Sequence, residues 1–421
     1  MTERPPKAET VNDLALKTGL YLHFPFCVKK CNYCAFLSFD AEGSPRKEYT
    51  EAMIKEIETR GLFFNHEREI DSVYLGGGTP SVMDVSQLSL IMKAVRKNFD
   101  IKSDAEITIE ANPGTLGKTD RVTRTKLQAY RFMGVNRLSM VVQSMNNDRL
   151  HLLGRIHTAE DVIRDFRMAR EAGFDNINLD LIFSVPGETT EDALKDAEAI
   201  IALGPEHISC YSLQLEEGTP FYEMADQGLI TEVDDEEDRR IYHEICSLLK
   251  KSGYEHYEIS NFARLADEDI GKDPDAVSPF RSIHNSGYWD MSDYMGIGLG
   301  ASGFISRIRY RNTPDLNEYL TFFREHDPAD IYISDIPSAE YHINSEFDML
   351  SEKVFTGLRR REGIKYSETG LTEEEFWRVF SYGRKEAERF SEQGLLIIDK
   401  EGLRLTEKGI DISNSIMAEF V

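Results

Sequence analysis

Cysteine is scarce in this chain, positive charge is outweighed, and no long apolar run occurs. Five cysteines in 421 residues are too few for a disulfide framework, and three of them fall within eight residues, which points to a reducing cytoplasm. Lys and Arg number 49 against 74 Asp and Glu, for a net charge of −25. Such a surface repels phosphate backbones and anionic lipid and excludes nucleic acid as a partner. No apolar stretch reaches the length of a membrane span, which argues against stable membrane insertion. The start, Met1 to Thr18, lacks the basic and apolar regions of a secretory signal and reads as a loose leader. What remains, 41% hydrophobic and 29% charged residues, is the balance of a globular protein long enough for two or three domains.

From Gly19 to about Leu215, short β-rich runs alternate with amphipathic helical patterns. The strands expected are Leu20–Phe24, Ser72–Leu75, Glu106–Glu110, Asn136–Val142, Ile177–Phe183 and His207–Leu213. Helical periodicity falls over Tyr49–Phe63, Gln87–Phe99, a stretch ending at Phe132, Ala159–Ala172 and Glu191–Leu203. Six βα units in series predict a parallel sheet covered by helices, with functional residues at the C-terminal ends of the strands. The rhythm breaks after Leu215. A helix over Glu236–Lys250 gives way to irregular Gly- and aromatic-rich sequence, with an acidic surface loop at Leu265–Pro279. From Ser338 the chain is mostly helical, with a hairpin at Leu395–Asp399 and Leu403–Thr406. This suggests a winged-helix-like module that packs on the main domain, since its acids outnumber its bases.

Chemistry concentrates just past the first strand. Cys27, Cys31 and Cys34, spaced x3 and x2, can converge on one ion or cluster, and thiolates suit zinc or iron–sulfur centres. Three thiolates on a four-iron cube leave one iron open to the amino and carboxylate groups of S-adenosylmethionine. From spacing alone the alternative is zinc, with His23 as fourth ligand. Cys210 and Cys246 stand alone in apolar patterns and read as buried core thiols. The second strand ends in Gly76-Gly77-Gly78-Thr79-Pro80, where glycines admit close backbone approach to a ligand and Thr79 adds a hydroxyl, or where the run is simply a tight turn. Glu110, Gln143, Arg155 and Asp180 sit at or near later strand ends. Each alone could be a cap or an ion-pair partner; together they fit a ring around a zwitterionic nucleoside.

The cysteine spacing, the aromatic Tyr33 before the third cysteine and the βα series resemble the radical-SAM superfamily. Within it, Leu-Tyr21-Leu-His-Phe-Pro-Phe-Cys, Gly-Gly-Gly-Thr-Pro-Ser, Ile-Glu-Ala-Asn-Pro-Gly, Gly-Val-Asn-Arg-Leu-Ser, Leu-Gly-Arg-Ile-His-Thr, Asp-Leu-Ile-Phe-Ser-Val-Pro-Gly and Glu-Gly-Thr-Pro-Phe resemble the oxygen-independent coproporphyrinogen oxidase-like group, from about Gly19 to the C-terminus. The resemblance implies an α/β chain: a leader (1–18), a partial (β/α)6 barrel core (19–255), a mixed linker region (256–336) and a mostly helical winged-helix-like C-terminal domain (337–421). It implies a [4Fe–4S] cluster on Cys27, Cys31 and Cys34. It also implies S-adenosylmethionine contacts at Tyr21, Tyr33, Gly77, Gly78, Thr79, Glu110, Gln143, Arg155 and Asp180.

Two branches of that group differ after the third cysteine. Coproporphyrinogen dehydrogenases have a fourth cysteine where this chain has Phe36, and the HemW-like haem-chaperone branch has phenylalanine there. The same branch carries a His-Asn-x-x-Tyr-Trp motif, present as His284, Asn285, Tyr288 and Trp289. These four are candidate haem contacts by resemblance; residue type alone favours packing, with His-Asn tying down a loop and Tyr-Trp filling a core. The chain departs from its relatives at Ser302, where His is usual, at Val141 and Met145 around Gln143, at Glu188, and in its longer acidic loop. The expected function is cytoplasmic: haem is bound and passed to an acceptor protein. The alternative is radical decarboxylation of porphyrinogen propionates by a coproporphyrinogen III dehydrogenase.

Overall fold

A computed structural model describes residues 17–64, 68–273 and 276–421. Residues 1–16, most of the expected leader, and residues 274 and 275 of the acidic loop lie outside the described residues. Thr18 is not part of a loose leader. It opens strand β1 (Thr18–Phe24), where its backbone N–H donates to Asp71 at 2.9 Å.

Strands β2 (Glu69–Gly77), β3 (Asp100–Ala111), β4 (Arg137–Gln143), β5 (Ile177–Phe183) and β6 (His207–Ser212) follow in chain order. Helices α1 (Arg46–Phe64), α2 (Val85–Asn98), α3 (Asp120–Phe132), α4 (Ala159–Glu171), α5 (Thr190–Leu203) and α6 (Asp235–Lys251) alternate with them. The helix starts are written locally: Thr119, Thr158, Thr189 and Asp234 each accept a hydrogen bond from a first-turn backbone N–H. The six strands pair in parallel, the (β/α)6 arrangement the resemblance implies.

Sheets buried between helices on both faces carry near-continuous apolar strands. These strands instead alternate. One face, with Leu20, Leu22, Val73, Leu75, Ile107, Ile109, Leu138 and Met140, joins the hydrophobic core under the helices. The residues between them, Tyr21, Tyr74, Glu110, Arg137 and Asp180 among others, face the opposite way by the two-residue period. The sheet therefore encloses a polar, tyrosine-rich interior.

The stretch expected as a linker extends this sheet on both sides. Strands β7 (Tyr254–Glu258) and β8 (Asn261–Arg264) continue it antiparallel beyond β6. On the other edge β9 (Asp293–Ile297) pairs parallel with β1. Antiparallel β10 (Ser302–Ile305), β11 (Ile308–Asn312) and β12 (Ser338–Ile343) follow. The sheet has twelve strands in the order β12-β11-β10-β9-β1-β2-β3-β4-β5-β6-β8-β7. The boundary expected after residue 255 cuts β7, and β12 lies beyond residue 336. These strands are short, four to six residues, and two of them, β9 and β10, carry a glycine, which hid them. A Cβ on Gly296 would lie 2.0 Å from the Ser302 carbonyl oxygen, so crowding requires the residue that weakens the strand pattern.

Helices α7 (Ile283–Trp289), α8 (Leu316–Glu325) and α9 (Glu346–Gly357) lead into the C-terminal part. There a three-stranded sheet of β13 (Ile364–Lys365), β14 (Leu396–Ile398) and β15 (Gly402–Leu405), ordered β13-β15-β14, packs with short helices around Phe376, Phe380 and Phe420. The hairpin forms where the sequence expects it; β13 is an additional strand.

Candidate functional site

The chain past β1 is held as a loop by a short parallel pair, Phe26–Cys27 with Phe39–Asp40. The Phe39 N–H donates to the Pro25 carbonyl and the Ala41 N–H to that of Cys27, both at 2.7 Å. The far side of the loop is pinned by Asn32, whose N–H donates to the Leu153 carbonyl at 3.0 Å and whose amide donates to that of Leu152 at 2.8 Å. Cys27, Cys31 and Cys34 lie between these anchors, all free and half-buried. Burial pushes the Cys27 and Cys34 thiols up. Tyr33 packs against the small apolar cluster of Leu153, Val185 and Phe221, and burial raises its hydroxyl pKa too.

The glycine run lies along the start of this loop. The N–H groups of Gly78 and Thr79 donate to the carbonyls of Phe24 and Phe26 at 2.8 and 2.9 Å. A Cβ on Gly78 would lie 2.8 Å from the Phe26 nitrogen, and Gly77 holds φ +115° with the His23 ring 2.7 Å from its absent Cβ. No larger residue fits at either position.

Zinc with His23 as a fourth ligand does not match this geometry. Both ring nitrogens of His23 are engaged elsewhere: Nδ1 meets the Tyr21 hydroxyl at 2.9 Å and Nε2 the Leu37 carbonyl at 3.3 Å. Among the described residues, no three His, Cys, Asp or Glu side chains are grouped to hold a single metal ion.

Polar side chains from the strand ends meet the loop. Thr79 donates to the Cys27 sulfur at 3.4 Å and accepts from the Asn112 amide at 2.9 Å. Arg155 donates to the Cys31 sulfur at 3.2 Å, to the Asn112 side-chain oxygen at 2.6 Å and to the Val141 carbonyl at 2.7 Å. Asn112 thus bridges the two residues that address the sulfurs, and sequence reasoning passed over it. The signal was its spacing two residues beyond Glu110, which aims it the same way. Glu110 accepts from the Tyr74 hydroxyl at 2.8 Å and the Gly77 N–H at 3.1 Å, and burial raises its pKa to about 7. Asp180, held by Asn178 at 2.7 Å, is also raised, mainly by burial.

Gln143 is the strained member. It sits at a register shift between β4 and β5 with φ +73°, and its buried side-chain oxygen has no partner. A non-glycine residue in this region persists only where its surroundings impose it, and such positions cluster at ligand sites.

The His284 motif lies at the other end of the polar interior and splits in two. His284 is 4% exposed; Ser72 meets its Nδ1 at 2.8 Å and the Tyr288 hydroxyl its Nε2 at 2.9 Å. Burial lowers its pKa to about 3, so the ring is neutral. It stacks on Tyr74 at 5.1 Å, and Tyr74 stacks on Tyr21 at 6.2 Å, so an aromatic row joins the motif to the strand-end residues. With both ring nitrogens engaged, His284 has none to offer to iron here; the packing role weighed from residue type is the one it fills. Glu106 fixes the start of α7 by accepting from the N–H groups of Ile283 and His284, both at 3.1 Å. Trp289 faces the C-terminal part instead, with the Arg359 guanidinium 4.5 Å over its ring and its indole N–H buried without a partner. Asn285 is half-buried beside them.

Residues 21–200 match the radical SAM superfamily, and residues 345–412 the HemN C-terminal domain. The chain is 34% identical over 403 residues to the heme chaperone HemW of Lactococcus lactis, covering 95% of this chain and 96% of that protein. It is 30% identical over 409 residues to the heme chaperone HemW of Bacillus subtilis, covering 95% and 98%. To the mitochondrial radical S-adenosyl methionine domain-containing protein 1 of Danio rerio it is 32% identical over 412 residues, covering 96% and 86%. Its fold is similar to that of the coproporphyrinogen III oxidase HemN from Escherichia coli, a radical SAM enzyme, with a TM-score of 0.79 and 25% identity over 96% of this chain and 90% of that one.

Proposed function

Because the chain belongs to the radical SAM superfamily and, within it, to the heme chaperone HemW family, we propose that it binds haem and hands it to an acceptor protein. The observation that carries this reading is the similarity to heme chaperones over nearly the whole chain. Phe36, 72% exposed where the dehydrogenases have a further cysteine, supports it over porphyrinogen decarboxylation.

The cofactors of the superfamily are a [4Fe–4S] cluster and S-adenosylmethionine, and the donor chemistry fits them. Three thiols on one anchored loop would hold the cluster, leaving one iron without a protein ligand. Thr79 and Arg155 already donate toward the sulfurs of Cys27 and Cys31, which suits sulfur ligands that become anionic. For S-adenosylmethionine we propose Tyr21, Tyr33, Gly77, Gly78, Thr79, Glu110, Gln143, Arg155 and Asp180. The partnerless Gln143 oxygen and the acceptors Glu110 and Asp180 offer hydrogen-bonding capacity to an amine and to hydroxyls. When bound, the pair supplies one-electron chemistry. The chain's part is to anchor the loop, orient the carboxylates and keep the polar interior closed at its far end with α7.

Haem contact is proposed for α7, through Asn285, Tyr288 and Trp289 in place and through His284 only if the helix leaves Ser72. We place the activity in the cytoplasm; among the described residues no helix is long and apolar enough to cross a membrane. Anaerobic haem titration tests the reading: one haem per chain with a Soret band is expected, while coproporphyrinogen with S-adenosylmethionine and reductant stays unconverted. Steady formation of protoporphyrinogen overturns it. An unchanged Soret band in His284→Ala leaves the chaperone reading standing and assigns the haem contact to the other α7 residues.

A further inference from the structure

A cavity of about 220 Å³ lies well away in sequence from the cysteine loop and shares no residue with it. Tyr242, Cys246 and Lys250 contribute from one face of α6, at positions i, i+4 and i+8. His256 contributes from β7, and Arg361 and Glu407 from the C-terminal part. The cavity thus spans the seam between the main sheet and the C-terminal module.

Its wall holds polar groups that the fold leaves unused. His256 is 8% exposed, and its Nδ1 is buried without a partner while Nε2 lies 3.3 Å from the Ile259 carbonyl. One terminal nitrogen of Arg361, Nη1, is also buried and partnerless. The other, Nη2, is 3.8 Å from a Glu407 oxygen that Lys250 meets at 2.6 Å. Two cations therefore share a single carboxylate, and that carboxylate is 65% exposed. Nearby, Asp411 meets His243 at 3.0 Å and lies 3.8 Å from Arg239, whose guanidinium is held by Asp238. At the cavity itself Lys250 and Arg361 thus face one carboxylate, on a chain of net charge −25.

Lys250 and Arg361 line the cavity with one exposed carboxylate shared between them, so an incoming anion has two cations to meet and one carboxylate to replace. The Glu407 side chain, largely exposed, can swing out to water. We propose that this cavity binds a small molecule carrying an oxyanion, a carboxylate or a phosphate. The anion sits between Lys250 and Arg361 in place of the Glu407 carboxylate, and the body of the ligand lies against Tyr242, Cys246 and Ile410. A ligand there ties α6 to the C-terminal module. Because α6 also holds the ends of β5 and β6, through Asp238 accepting from the Ser184 and Ser212 hydroxyls, occupancy is transmitted to the strand ends.

The full chain labelled with ¹⁵N-histidine is titrated with inorganic phosphate and, separately, with succinate, and the imidazole resonances of His243 and His256 are followed. A saturable shift at millimolar concentration or below is expected, with phosphate alone indicating a phosphate ester, succinate alone a carboxylate, and both the shared oxyanion chemistry. Arg361→Gln should raise the midpoint at least tenfold, and Glu407→Gln, which removes the internal competitor, should lower it several-fold. If Arg361→Gln does not fold, Lys250→Gln on the more exposed side of α6 gives the same reading. Absence of a shift with both anions, or midpoints unmoved by these substitutions in folded protein, overturns the proposal.

Discussion

Two buried polar assemblies in this protein have opposite finishes. At the outer side of the sheet, Glu56 of α1 is fully buried, and each of its carboxylate oxygens is bonded twice. One accepts from Arg60 at 2.7 Å and Asn312 at 2.8 Å, the other from the Gly298 N–H at 2.8 Å and the Tyr319 hydroxyl at 2.7 Å. This assembly welds α1 to the end of β9, to β11 and to α8. At the cysteine loop, by contrast, Gln143 is strained with a partnerless oxygen, one Arg155 nitrogen is partnerless, and burial holds Glu110 and Asp180 toward their protonated forms. Buried polar groups are costly unless satisfied. The satisfied assembly is therefore complete as structure, and the unsatisfied one is prepared for something it must still bind.

The largest expected effect falls on the unfinished side. After anaerobic iron–sulfide reconstitution the protein should be brown with about four irons per chain. Ala at Cys27, Cys31 or Cys34 should abolish the colour, while Cys210→Ala and Cys246→Ala should keep it. Tightly bound zinc in place of iron in the parent would break the comparison at its root. On the finished side, Glu56→Ala should cost about 3–5 kcal/mol in denaturant unfolding, because it strands the Arg60 guanidinium in the interior. A loss below about 1 kcal/mol would mean that the assembly is not what holds α1 to β9.

The next effect is a pH dependence. Glu110 is raised to about 7 by burial, so between its unfolded value near 4.5 and 7 the folded state holds a proton that the unfolded state has released. Its contribution is fully present below about pH 4.5 and is lost as pH rises through 7. It is worth on the order of 3 kcal/mol at 1.36 kcal/mol per unit. The ligand-free parent should therefore lose stability across this window more steeply than Glu110→Gln, in unfolding curves collected at several pH values. Equal slopes would remove Glu110 from the prepared side. The smallest effect belongs to Gln143→Gly, which relieves the φ of +73° and should leave the free protein unchanged or stabilised by up to about 1 kcal/mol while weakening S-adenosylmethionine binding. Marked destabilisation would show that Gln143 is structural, as Glu56 is.

Much of the site was legible in the chain because its parts are local. Three cysteines within eight residues, three glycines in a row and each βα unit are each written in neighbouring residues, and local spacing limits what such groups can do together. Other features depend on partners hundreds of residues apart. Ser72 meets His284 across 212 positions, and Gly298 meets Glu56 across 242. No periodicity records those distances, so a histidine that looked available to iron is sealed into the sheet, and an irregular stretch supplies strand β9 beside β1.

The sequence by itself determined the cysteine loop, the parallel βα core and the glycine turn, since each is imposed by short-range sterics and ligand spacing. Tertiary structure alone decided that both ring nitrogens of His23 are taken up by Tyr21 and Leu37, that Asn112 links Thr79 to Arg155, and that a charged cavity opens between α6 and the C-terminal module. Those outcomes depend on which side chains remain without partners after the twelve-stranded sheet closes, a balance of burial and hydrogen bonding struck only once distant segments meet.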